Sequence, residues 1–385
     1  MMEYQRLGDY IREVNVRNRE LQVTRLLGLS IEKKFIPSIA NTIGTDMAGY
    51  KIVHRRQFAY VPVTSRNGEK ITVALLEDCD EAIISQAYTV FEVVDCDKLL
   101  PEYLMMWFRR PEFDRYARFH SHGSAREVFD WDELCDVQLP VPSIGRQREI
   151  VAEYETLTNR IRLNEQMIAK LEETAQALYR KMFVDGVDKE NLPEGWRLGT
   201  LGDIVDSYSK THTFDKKELI FLNTSDILDG KILLHDYSEV EKMPGQAKKM
   251  IANGDILFSE IRPANKRFAL VREEHPEDFV VSTKLMVLRT KKNIYGYSNL
   301  KVYFYLTQPD VLDDLQKQAD GSSGTFPQIT FEGNIRGREI FIADEKSEKE
   351  WEDCISVYYK CRWEKEQENE KLTELQSLLL ARMGK

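Results

Sequence analysis

No stretch of this 385-residue chain is apolar enough, for long enough, to span a bilayer, and its charged opening MMEYQRLGDYIREVN lacks a secretion-signal core. Membrane insertion and export are therefore not expected, and a cytoplasmic location is. Cysteine is sparse. Cys79, Cys96, Cys135, Cys354 and Cys361 are scattered, odd in number and form no C-x-x-C pair, which excludes a disulfide framework and the usual zinc spacings. They are expected to be plain buried thiols. The six histidines never fall in an H-x-x-x-H or H-E-x-x-H arrangement. No glycine-rich run ends in Gly-Lys-Ser or Gly-Lys-Thr, and no Asn/Asp-Pro-Pro-aromatic run is present. Nucleotide hydrolysis and amino-group methylation by this chain alone are thus not expected. Positive charge is short too: 54 Lys and Arg face 64 Asp and Glu, a net charge of −10. A lone nucleic-acid binder usually carries a basic surface, so any DNA contact must use local basic patches or be shared with a partner.

What the chain does have is apolar content and repetition. Hydrophobic residues make up 42% and aromatics 10%, enough for the cores of two or three domains. Leu7-Gly8-Asp9 is matched by Leu201-Gly202-Asp203. KIVHRRQFAYVP from Lys51 is followed about two hundred residues on by KMIANGDILFSEIRP from Lys249, each reading as a strand pair. AIISQAYTVFEV from Ala82 parallels FVVSTKLMVLRT from Phe279. YLMMWFRRPEFDRY and YFYLTQPDVLDDL share an amphipathic helix interrupted by Pro111 or Pro309. Glycine-serine loops follow, His122-Gly123-Ser124 and Gly321-Ser322-Ser323-Gly324, and then a long charged helix in each half. The period is too long for a solenoid repeat and reads as duplication of a domain plus its helix.

The first helix places apolar residues at Ile150, Tyr154, Leu157, Ile161, Ile168, Leu171, Ala175, Leu178 and Met182, with Asn164 filling the one gap. Steps of four and three make a coiled-coil seam, and one polar seam residue fixes register. Ser143 is a candidate N-cap. The second helix opens with Ser347-x-x-Glu350, a capping-box pattern. Its seam reads Trp351, Ile355 and Tyr358 at one end and Leu372, Leu375 and Leu379 at the other, across a polar middle. Helices of about 57 Å with one apolar stripe need a partner. An antiparallel pairing of the two is expected, with Asn164 and Gln166 meeting Gln367 and Asn369.

The order of these parts resembles the specificity subunit of a Type I restriction-modification system, over the whole chain. The matching runs are Phe58-Ala59-Tyr60; Ser85 with Tyr88-Thr89-Val90-Phe91; Gly254-Asp255-Ile256-Leu257-Phe258-Ser259; and Ile261-Arg262-Pro263. GSAREVFDWDELCDVQLPVP leading to Gln147-Arg148-Glu149-Ile150-Val151 is very similar to the family's junction between domain and helix, as is Leu192-Pro193-Glu194-Gly195-Trp196 before the second domain. Two departures stand out. The acidic-Gln pair usual at the helix start is Arg146-Gln147 here, and the second junction, FIADEKSEKEWEDC, has no proline. The resemblance implies an α+β fold: two α/β target-recognition domains separated by two long antiparallel coiled-coil helices in a pseudo-two-fold dumbbell. The expected bounds are 1–143 and 185–345 for the domains, 144–184 and 346–385 for the helices. It also implies a non-catalytic subunit that reads a bipartite, asymmetric double-stranded DNA target. Two adenine methyltransferase subunits would dock on its helices, using S-adenosylmethionine of their own, and motor-nuclease subunits can join them.

Arginine pairs with guanine, and asparagine or glutamine with adenine, in the major groove, so basic and amide residues near loops are the candidates for contact. In the first half these are Arg55, Arg56, Arg109, Arg110, Arg115, Arg118, Ser124 and Arg126, with His120 and His122 alongside. In the second they are Lys210, Thr211, His212, Arg262, Lys266, Arg267, Thr325 and Gln328, with Lys248 and Lys249 nearby. Most are expected to hold phosphates and only a few to specify bases. With domains about 50–60 Å apart, half-sites about one turn or somewhat more apart are expected, given about 34 Å per turn. Two other readings stay open on the residues alone. One is a coiled-coil scaffold with two globular ends and no DNA role. The other is an enzyme with an unfamiliar site around Asp78, Asp80 and Glu81.

Overall fold

The computed structural model describes residues 4–38, 45–64, 70–123, 126–291, 299–321 and 327–384. The chain divides into two compact units, one made of residues 1–165 with 366–385, the other of residues 166–365. Each unit is a domain of strands and short helices joined to parts of both long helices.

In the first domain the central sheet runs in the order Ile11–Val14, Thr89–Val93, Phe58–Tyr60, Val73–Leu75, antiparallel throughout. The second domain repeats that order with Val205–Ser207, Leu285–Thr290, Ile256–Ser259 and Phe268–Leu270. Outside it, Lys51–His54 pairs with Glu81–Ile84, and Ala247–Met250 pairs with Phe279–Ser282. A two-stranded ribbon closes each domain before its long helix: Tyr4–Arg6 with Gln138–Pro140, and Arg197–Thr200 with Glu339–Ile342. Sequence segments that look alike therefore occupy the same places in the fold. The repeated Leu-Gly-Asp has a physical reason. Each opens a single helical turn whose leucine is fully buried, Leu7 and Leu201. A Cβ on Gly8 would lie 2.9 Å from Cys135 Cβ, and one on Gly202 would lie 2.5 Å from Arg336 Cγ.

Two short helices follow the sheet in each domain, Pro101–Phe108 with Pro111–Phe119, and Asn299–Leu306 with Pro309–Asp320. Three of the four start on proline, which fits the first helical position because its fixed φ suits the turn and no N–H is lost there. Their apolar faces cover the sheet. Phe58 and Phe91 stack at 4.8 Å with Phe108 edge-on to both; in the second domain Phe258 and Phe268 stack at 6.0 Å with Tyr303 edge-on to Phe268. Cys135 is the one fully buried thiol; Cys79 and Cys361 are half-buried, and Cys96 and Cys354 are exposed. The expectation of buried thiols is thus corrected at four positions, which fall in turns and on outer helix faces.

The long helices span Ile144–Phe183 and Glu345–Arg382, and within each unit their parts pack antiparallel. In the first unit Val151 and Tyr154 join the domain core together with Leu380 and Met383. Farther along, Gln376 donates to Thr158 (2.7 Å), Arg160 pairs with Glu368, and buried Asn164 donates to Asn369 Oδ1 (2.9 Å). In the second unit Tyr179 and Phe183 meet Trp351 edge-on, Ile168 is buried, and Arg362 pairs with Glu172 at 2.6 Å. Ile150, Leu157, Ile161, Leu171, Leu178, Leu372 and Leu379 are half-buried.

Leu375 departs from the expected seam, being 48% exposed. A straight helix drifts about 20° per heptad against a 3.5-residue repeat, and burial of Leu380 and Met383 in the domain core fixes the last turns. The inward face therefore passes through Gln376 and leaves Leu375 outside. The cap of the second helix also differs from the sequence expectation. Asp344, rather than Ser347, caps it: its carboxylate accepts from the Lys346 and Ser347 amides and from the Ser347 hydroxyl. Those bonds hold its pKa down at about 2. No helix among the described residues is long and apolar enough to cross a membrane.

Candidate nucleic-acid interface

In the first domain three parts converge at one edge: Val63 and Thr64 beyond the Phe58–Tyr60 strand, Ser121 and His122 just past the Pro111–Phe119 helix, and Glu127 with Val128. Thr64 N–H donates to the Glu127 carbonyl (3.0 Å). The Thr64 hydroxyl lies 3.1 Å from that of Ser121, and Val63 and His122 both bridge to Val128. Asp114 pins the helix by accepting from the Ile71 amide (3.0 Å) and pairing with buried Lys33 at 2.7 Å. Desolvation lowers the pKa of Lys33, with Asp114 opposing that fall. The helix is amphipathic: Phe113 and Ala117 are buried while Arg115, Arg118 and Phe119 are exposed.

Arg118 and Arg126 are exposed close in the chain to the two histidines, and Arg115, exposed one turn before the helix end, pairs with Glu112 at 3.5 Å. His120 Nδ1 and His122 Nε2 lie 2.9 and 3.5 Å from Glu133, and Tyr116 stacks on His120 at 4.2 Å. Among the described residues no cluster of His, Cys, Asp and Glu suits a metal ion. The other basic residues of the first half lie elsewhere. Arg55 pairs with Asp80 and donates to the Glu77 carbonyl, and Arg56 pairs with Glu102. Arg109 sits over the Tyr154 ring, and Arg110 is buried over Trp107 at 4.1 Å. These last two are packing residues facing the long helix, because each guanidinium lies on an aromatic face. Ser124 lies outside the described residues.

The second domain builds the same edge from different side chains. Its hairpin turns through Pro263–Asn265, bracketed by Arg262 and Lys266 in left-handed backbone at φ 48° and 53°. Left-handed backbone is costly for non-glycine residues, and both side chains are exposed. The Ala264 amide donates to Gln316 Oε1 (3.1 Å), which ties the turn to the Pro309–Asp320 helix. The Arg262 amide donates to the Pro327 carbonyl (3.2 Å), Ile329 to Glu260 (2.8 Å), and Ile261 bridges to Gln328. Lys284, which sequence reasoning missed, reaches Gln328 and Glu260.

The remaining candidates divide. Lys266 lies 3.6 Å from Asp229 with both exposed. Arg267 donates to the Ser225 and Ile227 carbonyls, so it anchors a neighbouring turn. Lys210 and Thr211 are exposed beside Ala247–Met250, where the Met250 amide donates to the Lys210 carbonyl. Lys248 is exposed, whereas Lys249 donates to the Thr283 and Leu285 carbonyls. His212 is a buried structural group: Nδ1 accepts from the Phe214 amide, leaving Nε2–H for the Glu277 carbonyl at 3.1 Å. Thr325 lies outside the described residues.

A second surface lies on the helix pair of the first unit. Leu157, Leu375, Leu378 and Leu379, with Glu153, Thr156 and Arg382, line an open groove of about 390 Å³. Leu375 and Leu378 are 48% and 57% exposed, an apolar patch of the kind that marks an interaction site.

No family model matches the chain. Over 162 residues it is 37% identical to the Type I restriction enzyme HindI specificity subunit of Haemophilus influenzae, which is 42% of this chain and 34% of that protein. It is 26% identical over 144 residues to the MjaIX specificity subunit of Methanocaldococcus jannaschii, 34% of this chain and 33% of that protein. Each match thus spans about a third of the relative's length. The crystal structure of a Type I restriction-modification S subunit from M. genitalium shares the fold at TM-score 0.57, with 11% identity over all of this chain and 96% of that one.

Proposed function

We propose that the chain is the DNA-specificity subunit of a Type I restriction-modification complex, reading one half of a bipartite target with each domain. The observation that carries this reading is the duplicated edge. One fold brings the end of a hairpin strand and a segment following the second short helix to one edge in each domain, with different side chains at matching places. Arg115, Arg118 and Arg126 supply the cations of the first edge, and Arg262, Lys266 and Gln328 the polar groups of the second. Arginine and glutamine suit guanine and adenine edges in the major groove, while lysine holds phosphate as a point charge. Unlike edges require unlike half-sites.

The net charge of −10 fits a shared clamp. Phosphate contacts dominate affinity, and a chain this acidic holds DNA tightly only when partners add theirs. The partners proposed are two adenine methyltransferase subunits, carrying S-adenosylmethionine and seated against the helix pair, where the Leu375 and Leu378 groove offers apolar surface. The chain itself supplies recognition and no chemistry, and motor-nuclease subunits would join the same core. Methylome sequencing of the host with and without the gene tests the reading. A bipartite adenine-methylated motif that vanishes with the gene is the expected result; an unchanged methylome overturns it.

A further inference from the structure

Phe119 is the most exposed of the large apolar side chains among the described residues, at 81%. The domain has no use for it in folding. The buried face of its helix is made by Phe113 and Ala117, and the matching helix of the second domain buries Val311 and Leu315 with exposed Lys317 at the corresponding place. Both helices begin on proline, so Pro111 aligns with Pro309 and Phe119 with Lys317. A fold that accepts lysine there does not require an aromatic ring, yet the first domain leaves one in water. On the edge already described it has two cations near it, Arg115 one turn back and Arg118 beside it, and the His120 ring edge-on at 5.2 Å.

An apolar ring amid cations suits a polyanion whose interior is a stack of aromatic planes. Proteins that insert phenylalanine between base steps unstack them in part and kink the duplex, and stacking tolerates any base because every base has a π-face. We propose that Phe119 is an aromatic wedge entering the DNA stack at the half-site read by the first domain, whereas Lys317 gives the second domain only a phosphate contact there. The inference rests on the reading of the chain as a DNA-specificity subunit. It makes the two half-sites differ in DNA deformation as well as in sequence.

The test uses the full chain assembled with its methyltransferase partner. The probe is a duplex carrying the motif found by methylome sequencing, with 2-aminopurine scanned across both half-sites. Setting aside the target adenines, which the methyltransferase flips out in both half-sites, the wild-type complex should brighten the probe at a further step in one half-site only. F119A should abolish that signal and weaken binding about tenfold, F119W should keep both, and K317A should weaken binding without any fluorescence change. F119A with unaltered signal and affinity overturns the wedge while leaving the specificity role intact. An F119A defect traced by gel filtration to lost assembly overturns it too, by making Phe119 a partner contact. If no motif depends on the gene, the specificity role falls and the wedge with it.

Discussion

The two domains solve one structural problem in opposite ways. Each must lock the start of a long helix to the short helix and ribbon before it. In the first domain the lock is neutral. Fully buried Gln147 accepts from the Leu100 amide and donates to the Lys98 and Pro142 carbonyls, and the Tyr103 hydroxyl donates to Pro140 (3.1 Å). In the second the lock is charged. Lys301 donates to the Phe341 carbonyl (2.9 Å), pairs with buried Glu348 and lies over the Phe183 ring at 3.9 Å. Burial drives its pKa down to about 8, against the pull of Glu348. A neutral lock fails gently when one member is removed, because the groups left behind carry no charge. A charged lock fails hard, since the survivor is an uncompensated buried ion.

The largest expected effect is therefore K301M, which strands Glu348 and should destabilise the second domain by about 3–5 kcal/mol. Q147L, the parallel change, should cost the first domain about 1–3 kcal/mol. Hydrogen exchange resolved by domain measures both, and equal losses would erase the distinction between the locks. At the reading edges, R262A should cost about 1–3 kcal/mol of discrimination at one base pair of one half-site, scored by methylation of single-substitution targets. A loss spread evenly over both half-sites would make Arg262 a general phosphate contact. On the helix pair, L378E should leave thermal stability within about 0.5 kcal/mol, as surface changes do, and abolish co-purification of the methyltransferase subunits.

The smallest effect is an acid response confined to the second unit. Asp344 is held at about 2, below its ordinary value of ~3.9. A carboxylate lowered on folding stabilises above the ordinary value, and that contribution is lost as pH falls through the folded one. The start of the second long helix should therefore fray between about pH 4 and pH 2. The first long helix, which has Ser143 at the matching place, should not. NMR of backbone amides at both helix starts distinguishes them; joint fraying would remove Asp344 as the cause.

Much of this was legible in the chain. Leu7-Gly8-Asp9 and Leu201-Gly202-Asp203 and the 4-3 spacing through Asn164 announced duplicated domains and a polar register residue, while Pro111 and Pro309, read as breaks within one helix, each open a second helix. All of these are local signals, carried by residues near one another in sequence. The helix ends were less legible, since Asp344 outcompetes Ser347 for the cap only because the chain before it is held extended by the Glu339–Ile342 strand. The candidate interface was legible in kind and not in detail. A run of arginines from Arg109 to Arg126 reads as one patch, but the fold parts it. Arg109 and Arg110 turn to aromatic rings near the long helix, while Arg115, Arg118 and Arg126 stay exposed.

What the sequence determined by itself is the repeat and the long helices, because periodicity and turn residues are properties of neighbouring positions. What only the tertiary structure decided is which charges face solvent and which are spent on packing. Lys301, Arg110 and His212 look like any other polar residues in the chain, and they are buried because distant segments close over them. Phe119 looks like core and is not, because Phe113 and Ala117 already fill the face that its helix turns inward.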